Sequence, residues 1–258
     1  MNRVQAVFAK KAFIPFVTAG DPNLDATERL IVAMAEAGAD LIEIGIPFSD
    51  PVAEGIVIQE ADMRALAAGT TTDKIFEMVK RVRTKTDVPL AFMTYINPVF
   101  VYGTDRFVKK AVEIGVDALI VPDMPFEERE ELLPACRAHG MTLIYLVAPT
   151  SSERVQAIAR ETEGFVYCVS SLGVTGVRSE ITTDVGGMVK MVKQAKDVPC
   201  AVGFGISTPE QARRMAAVAD GVIVGSAIVK LVAKYGADCV EPVSRYVAEM
   251  KAAVTEAQ

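Results

Sequence analysis

ADLIEIGIPFSDPVAEG, residues 39–55, changes character at its middle. The first half is short and almost continuously apolar, as a strand covered on its outer side requires, and the second is rich in Pro, Gly and acids, as a loop requires. Alternation places Leu41, Glu43 and Gly45 on one face and Ile42, Ile44 and Ile46 on the other. The isoleucines suit a layer of packed helices, so Glu43 is expected to point the opposite way, into the mouth of a closed sheet.

The same short apolar runs recur along the chain: AFIPFVTAG (12–20), PLAFMTY (89–95), VDALIVP (116–122), MTLIYLV (141–147), GFVYCVS (164–170), PCAVGFG (199–205) and DGVIVG (220–225). Between them, apolar residues repeat at helical spacing, as in Leu30, Ile31, Met34 and Ala37, or Ile75, Phe76, Val79 and Val82. Asp25 with Glu28 and Thr208 with Gln211 have capping-box spacing, and Gly38, Gly115 and Gly140 stand where helices should end. Eight strands and about eight helices with no Pro- or Gly-rich linker predict a single (β/α)8 TIM barrel spanning 1–258 as one catalytic domain. The pattern through Val240, Val243, Val247 and Met250 predicts an additional C-terminal helix. A doubly wound dinucleotide-binding sheet would show GxGxxG after its first strand, where this chain has TAGDPNLD.

Composition narrows the partners. In 258 residues, 27 Lys plus Arg against 33 acids give a net charge of −6, which offers no general attraction for nucleic acid or an anionic membrane. No apolar stretch reaches bilayer length and the amino terminus runs into a strand without a small-residue cleavage site, so a cytoplasmic protein is expected. Four widely spaced cysteines and the single His139 argue against a first-row metal site.

In a barrel, chemistry sits where strands meet their following loops. An inward carboxylate at Glu43 is costly to bury unless used, which favours a general acid/base with a raised pKa over a structural acid. Asp50 and Glu54 lie on the following loop, where position alone is weak evidence of function. Asp123, in VPDMP, is either a loop-capping or an active-site acid; the direction of Tyr167 is left open by alternation, Tyr95 ends the third strand and Phe16 lies in the first. The turns SSLGVTG (170–176), GFGIS (203–207) and GSA (225–227) could bring N–H groups of Gly176, Gly205, Gly225 and Ser226 around a phosphate. No strand core contains a Lys for Schiff-base chemistry. What is left is acid/base chemistry by carboxylates on a small phosphate ester, with an apolar moiety against Phe16 and Phe204.

The motifs PFVTAGDP (15–22), IEIGIPFSDPVAEG (42–55), SLGVTG (171–176), GFGIS (203–207) and GSAIVK (225–230), in this order, resemble the tryptophan synthase alpha chain family over nearly the whole length. The resemblance implies a cofactor-independent retro-aldol cleavage of indole-3-glycerol phosphate into indole and glyceraldehyde 3-phosphate. By the same resemblance Glu43 is the principal acid/base and Glu54 the second acid, beside the indole N–H. Tyr167, Phe16 and the loop residue Thr175 would line or close the substrate site, and Gly176, Gly205, Gly225 and Ser226 would cradle the phosphate; Tyr95 and Phe204, from their places at strand ends, are expected to line the same site. Asp123 would lie on the surface facing a beta chain. That partner, in an alpha2beta2 heterotetramer, would carry pyridoxal phosphate and join indole to serine. The chain departs from the family motif in having Glu54 for Asp and Ile56 for Pro. Apolar residues crowd the rim in IPFSDPVAEGI and INPVFVYG (96–103), with Pro51 and Phe100 among them, which predicts a docking surface there. A stand-alone indole-glycerol-phosphate lyase, or another phosphate-binding barrel isomerase or epimerase, are the alternatives at this stage.

Overall fold

Eight parallel strands close into a barrel in chain order, β8 returning to β1. They are β1 (Ala12–Thr18), β2 (Ile42–Gly45), β3 (Leu90–Met93), β4 (Ala118–Ile120), β5 (Thr142–Val147), β6 (Val166–Val169), β7 (Cys200–Gly203) and β8 (Gly221–Val224). The structure is a computed structural model that describes residues 3–169, 184–203 and 205–257. Among these residues no helix is long and apolar enough to cross a membrane.

Strand alternation sorts the core into two layers. Ile14, Leu41, Ala91, Ala118, Ile120, Ile144, Phe165, Ala201 and Ile223 pack together within the barrel. Their neighbours along the strands, among them Ile42, Ile44, Phe92, Leu119, Leu143, Val166, Val202 and Val222, pack against the helices. Phe76, Phe92 and Phe107 are fully buried between sheet and helices, with ring centroids 5.5–6.3 Å apart. Burial of each such ring stabilises the fold by roughly 1.5–3 kcal/mol.

The expected (β/α)8 TIM barrel with one additional C-terminal helix is corrected by the order of the helices. A short helix α1 (Arg3–Ala6) and a 3₁₀ turn precede β1, and α2 (Leu24–Glu36) joins β1 to β2. Two helices, α3 (Ile56–Ala67) and α4 (Thr72–Arg83), then lie between β2 and β3, and two more, α5 (Ile96–Tyr102) and α6 (Thr104–Glu113), between β3 and β4. The chain continues through α7 (Leu133–His139), α8 (Ser152–Glu161), α9 (Val185–Ala195), α10 (Pro209–Ala216), α11 (Ser226–Tyr235) and α12 (Val240–Thr255). The doubled connections have local causes. Gly69, at φ +77°, ends α3, and the Thr71 side chain accepts from the Lys74 N–H to start α4; Gly103, at φ +92°, separates α5 from α6. The 96–103 segment, expected as a rim loop, is therefore largely helical. The capping box at Thr208 and Gln211 is present, whereas α2 is capped by Asn23, whose side chain accepts from the Ala26 N–H, rather than by Asp25.

The two ends of the barrel are built differently. At the strand starts, Asp40, Asp117 and Asp220 accept the N–H groups of Phe13, Leu90 and Cys200 at 2.8, 3.0 and 2.8 Å. Each acid also meets a cation, Lys251, Arg83 and Lys193 respectively, at 2.6–2.9 Å. Val4, Val7 and Phe8 join the inner core, with Phe8 and Phe165 rings 5.2 Å apart, and so plug that end. Access to the barrel interior is left to the opposite end.

Candidate active site

At the C-terminal ends of the strands a cavity of about 620 Å³, solvent included, opens above the inner core. Its walls include Phe16, Glu43, Glu54, Ile58, Met93, Leu146, Tyr167, Ile206, Ile223, Gly225 and Ser226. Glu43 comes from β2, opposite Phe16 of β1 and Ala91 of β3, and is fully buried. Neither of its carboxyl oxygens has a hydrogen-bond partner among the described residues. Burial pushes its pKa well above the usual carboxyl range, and the nearby charge of Glu54 raises it further. Burial of an acid with no partner among the described residues favours its neutral form, which has an O–H to donate.

Glu54 reaches the same cavity from the loop between β2 and α3. That loop is tied at several backbone points. The Glu54 N–H donates to the Pro51 carbonyl at 3.0 Å, the Glu54 carbonyl accepts from Gln59 Nε2 at 2.7 Å, and the Ala53 N–H donates to Tyr95 Oη at 2.9 Å. Gly55, extended at φ −81°, then caps α3. Asp62 lies on the buried side of α3, and burial together with the charge of Glu54 pushes its pKa up to about 7.

Two glycines make room for the aromatic walls. A Cβ on Gly45 would lie 2.5 Å from Cζ of Phe16, and one on Gly203 would lie 2.5 Å from Oη of Tyr167. Tyr167 therefore faces inward, answering what alternation left open, and its hydroxyl pKa is raised by burial and by Glu43 and Glu54. It is a neutral phenol, able to donate beside the two acids.

The other side of the cavity is backbone. Gly205 adopts φ +82°, and Gly225 is the N-cap of α11, so Ser226 opens that helix at the cavity wall. The N–H groups of a helix's first turn have no acceptor within the helix, and the dipole there favours an anion. Phe16 lies against Gly225, with ring carbon Cδ1 3.4 Å from where a Cβ would stand. An apolar wall and an anion-favouring helix end thus share one cavity, with the carboxyl groups of Glu43 and Glu54 at its side.

The expected site residues do not all meet. Phe16, Glu43, Glu54, Tyr167, Gly205, Gly225 and Ser226 line the cavity together. Tyr95 does not; it stacks on Phe48 at 5.4 Å and holds the Ala53 N–H from beneath the loop. Asp123 accepts the Ile96 N–H at 3.0 and 3.3 Å, capping the start of α5, and faces a neighbouring cavity with Phe126 and Arg154. Pro51 is half-buried and Phe100 exposed on the rim. Thr175, Gly176 and Phe204 lie outside the described residues. Ile58, Met93, Leu146 and Ile223 are wall residues that sequence reading missed, although the inward parity of Ile223 with Gly221 was a usable signal. Among the described residues no group of three His, Cys, Asp or Glu side chains is arranged to hold a metal ion.

The family model described as tryptophan synthase alpha chain matches residues 4–256. A tryptophan synthase alpha chain from Lacticaseibacillus casei is 46% identical over 255 residues, covering 98% of this chain and 96% of its own. One from Geobacter sp. (strain M21) is 49% identical over 262 residues, covering 98% of each chain. Among solved structures, tryptophan synthase subunit alpha from Legionella pneumophila str. Paris superposes with a TM-score of 0.90 at 36% identity over 99% of both chains. Family match, identity and shared architecture agree over nearly the full length, and the chain belongs to the tryptophan synthase alpha chain family, a family of lyases.

Proposed function

We propose that this chain cleaves indole-3-glycerol phosphate to indole and D-glyceraldehyde 3-phosphate and passes indole to a tryptophan synthase beta chain. The observation that carries the reading is Glu43: a fully buried acid whose pKa is raised by burial and by Glu54, in a cavity with an apolar wall and a helix N-terminus. The phosphate sits against Gly205, Gly225 and Ser226, with Gly176 completing the cradle. The indole ring lies on Phe16, Ile58 and Met93, with Phe204 as a further wall and Thr175 closing the site.

Glu43 gives its proton to indole C3, which interrupts the aromatic system and leaves positive charge on the ring nitrogen. Glu54 favours that charge as an anion beside the N–H. Loss of the side-chain hydroxyl proton to the Glu43 carboxylate then forms the aldehyde. The C3–carbon bonding pair returns to the ring and restores indole, so protons and electrons balance with no cofactor in this chain. Tyr167 donates to whichever carboxylate is charged. The chain works as one catalytic domain in the cytoplasm, within an alpha2beta2 assembly whose beta chain carries pyridoxal phosphate for the joining of indole to L-serine.

The test is direct. Purified chain mixed with indole-3-glycerol phosphate, with and without a beta chain, is expected to release indole and glyceraldehyde 3-phosphate in equal amounts. No indole under either condition would overturn the reading, and rapid release by the isolated chain would favour a stand-alone lyase.

A further inference from the structure

The turn after β7 is held from outside the barrel. Its residues Gly205 and Ile206 line the cavity beside Gly225 and Ser226. In the next residue, Ser207, side chains take up both backbone groups. The Ser207 N–H donates to Gln211 Oε1 at 2.8 Å, and the Ser207 carbonyl accepts from the Tyr246 hydroxyl at 2.9 Å. The same Gln211 oxygen accepts from the Ser207 hydroxyl at 3.1 Å and from the Thr208 N–H at 3.2 Å. Gln211 belongs to α10, which follows the turn directly, whereas Tyr246 comes from α12, 39 residues further along the chain.

Helix α12 is itself fixed, so the Tyr246 hydroxyl does not follow the turn if the turn moves. Val243, Val247 and Met250 are fully buried, and the helix packs on α2, α10 and β1. Further along it, Lys251 reaches the start of the barrel, donating to the Lys11 carbonyl at 2.9 Å and to Asp40 at 2.6 Å. Gly205, at φ +82° and without a Cβ, leaves the direction of its N–H to be set by the residues around it. Ile206 pins one side of the turn in the layer between strands and helices, and the two peptide groups of Ser207 pin its end. A carbonyl can only accept, so the phenol is the donor and its removal ends the contact. Packing against the core explains a ring at position 246, and Phe would serve it equally; the hydroxyl is spent on the turn that borders the cavity.

We propose that Tyr246 is a positioning residue for phosphate binding: by donating to the Ser207 carbonyl it makes the C-terminal helix a brace for the 205–207 turn, whose backbone faces the phosphate. The proposal rests on the phosphate-ester reading above and extends it to an element outside the cavity. No described residue of α12 lines that cavity. The effect of the brace therefore falls on substrate affinity and not on proton transfer at Glu43 or Glu54.

Tyr246→Phe keeps the ring and removes only the donor. Its dissociation constant for glycerol 3-phosphate, measured by calorimetry, is expected to rise about three- to tenfold, the range that loss of one neutral hydrogen bond sets. Hydrogen exchange over 205–208 is expected to accelerate by a similar factor. In indole release by the beta-chain complex, KM should rise with the dissociation constant while kcat stays within about twofold of the parent. Lys251→Met is the control, since it loosens α12 at the strand starts without touching the turn. It should lower the melting temperature and leave glycerol 3-phosphate affinity within about twofold of the parent. A Tyr246→Phe variant with parental affinity would overturn the brace, and so would an equal loss of affinity in Lys251→Met, which would assign the effect to helix docking in general. A fall in kcat at constant KM would also overturn it. A parent that binds no glycerol 3-phosphate would instead refute the phosphate reading itself, an outcome that the parent alone reveals.

Discussion

Glu43 couples chemistry and stability in one side chain. In the folded chain its pKa is raised, by burial first and by Glu54 second, while in the unfolded chain it ionises near the ordinary value of about 4.3. A raised folded pKa contributes stability that is fully present below the unfolded pKa and is lost as pH rises towards the folded value. Glu43→Gln removes the titration while keeping the shape. We expect it to melt at a higher temperature than the parent at pH 7.5, with the difference shrinking towards zero near pH 4. Asp62 is present in both proteins and drops out of the comparison. The same substitution deletes the proton donor and should lower single-turnover indole formation by about 10²–10⁴-fold. Parallel melting curves across the pH range would show that Glu43 does not titrate out of register, and a variant with more than a third of parental turnover would remove it from the chemistry.

At the scale of elements, the two ends of the strands separate stability from function, and each end makes a prediction. Asp117 precedes β4 and holds the first N–H of β3 together with Arg83, far from the cavity. Asp117→Ala leaves the Leu90 N–H without its acceptor and takes the carboxylate from Arg83, which keeps only carbonyl partners; hydrogen bonds to charged groups contribute about 1.5–3 kcal/mol, so an unfolding free energy from urea titration lowered by about that amount is expected, with kcat within about twofold of the parent. On the loop at the other end, Glu54→Asp shortens the side chain by one methylene, which backbone movement can absorb, whereas Glu54→Ala removes the anion. Steady-state rates with saturating beta chain should therefore stay substantial in the first and collapse in the second, and an Ala variant as active as the parent would return Glu54 to the ordinary loop acids. The same division explains what was legible beforehand. Strand runs such as LIEIG and GVIVG show their inward and outward faces through a period of two, so Glu43 could be aimed from sequence. Helix α3 could not be read that way, because Ile56, Met63 and Leu66 are exposed while Ile58, Ala61 and Asp62 are buried, and apolar character surrounds the helix instead of marking one face. The doubled helices after β2 and β3 were hidden for that reason. Asp62 was hidden with them, since an acid on an unrecognised helix carries no signal of burial.

Across the whole molecule, apolar exposure is uneven. Val52 and Ile56 leave 77% and 65% of their surface uncovered after β2, and Phe100 and Val101 leave 46% and 82% uncovered after β3. These strands are neighbours in the barrel, so the exposed side chains belong to the same rim as the loop that carries Glu54. Ile46 and Val99, from the same two segments, are buried, which limits the docking surface to the residues that face outward. A beta chain seated there would cover apolar surface and restrict the 46–55 loop, favouring the state in which both acids meet the substrate. The isolated chain is accordingly expected to be slow, and saturating beta chain to raise indole formation at least about tenfold, equivalent to roughly 1.4 kcal/mol of barrier. Pro51 is a poor probe of this effect, because its carbonyl holds the Glu54 N–H and its replacement would disturb the loop directly. Phe100→Glu is cleaner: the side chain is outside the cavity, and a charge there must be desolvated on docking. It should raise the beta-chain concentration needed for half-maximal activation by tenfold or more while sparing the slow reaction of the isolated chain. Indole release and sedimentation over a range of beta-chain concentrations measure both effects, and activation unchanged by Phe100→Glu would move the interface to another face of the barrel.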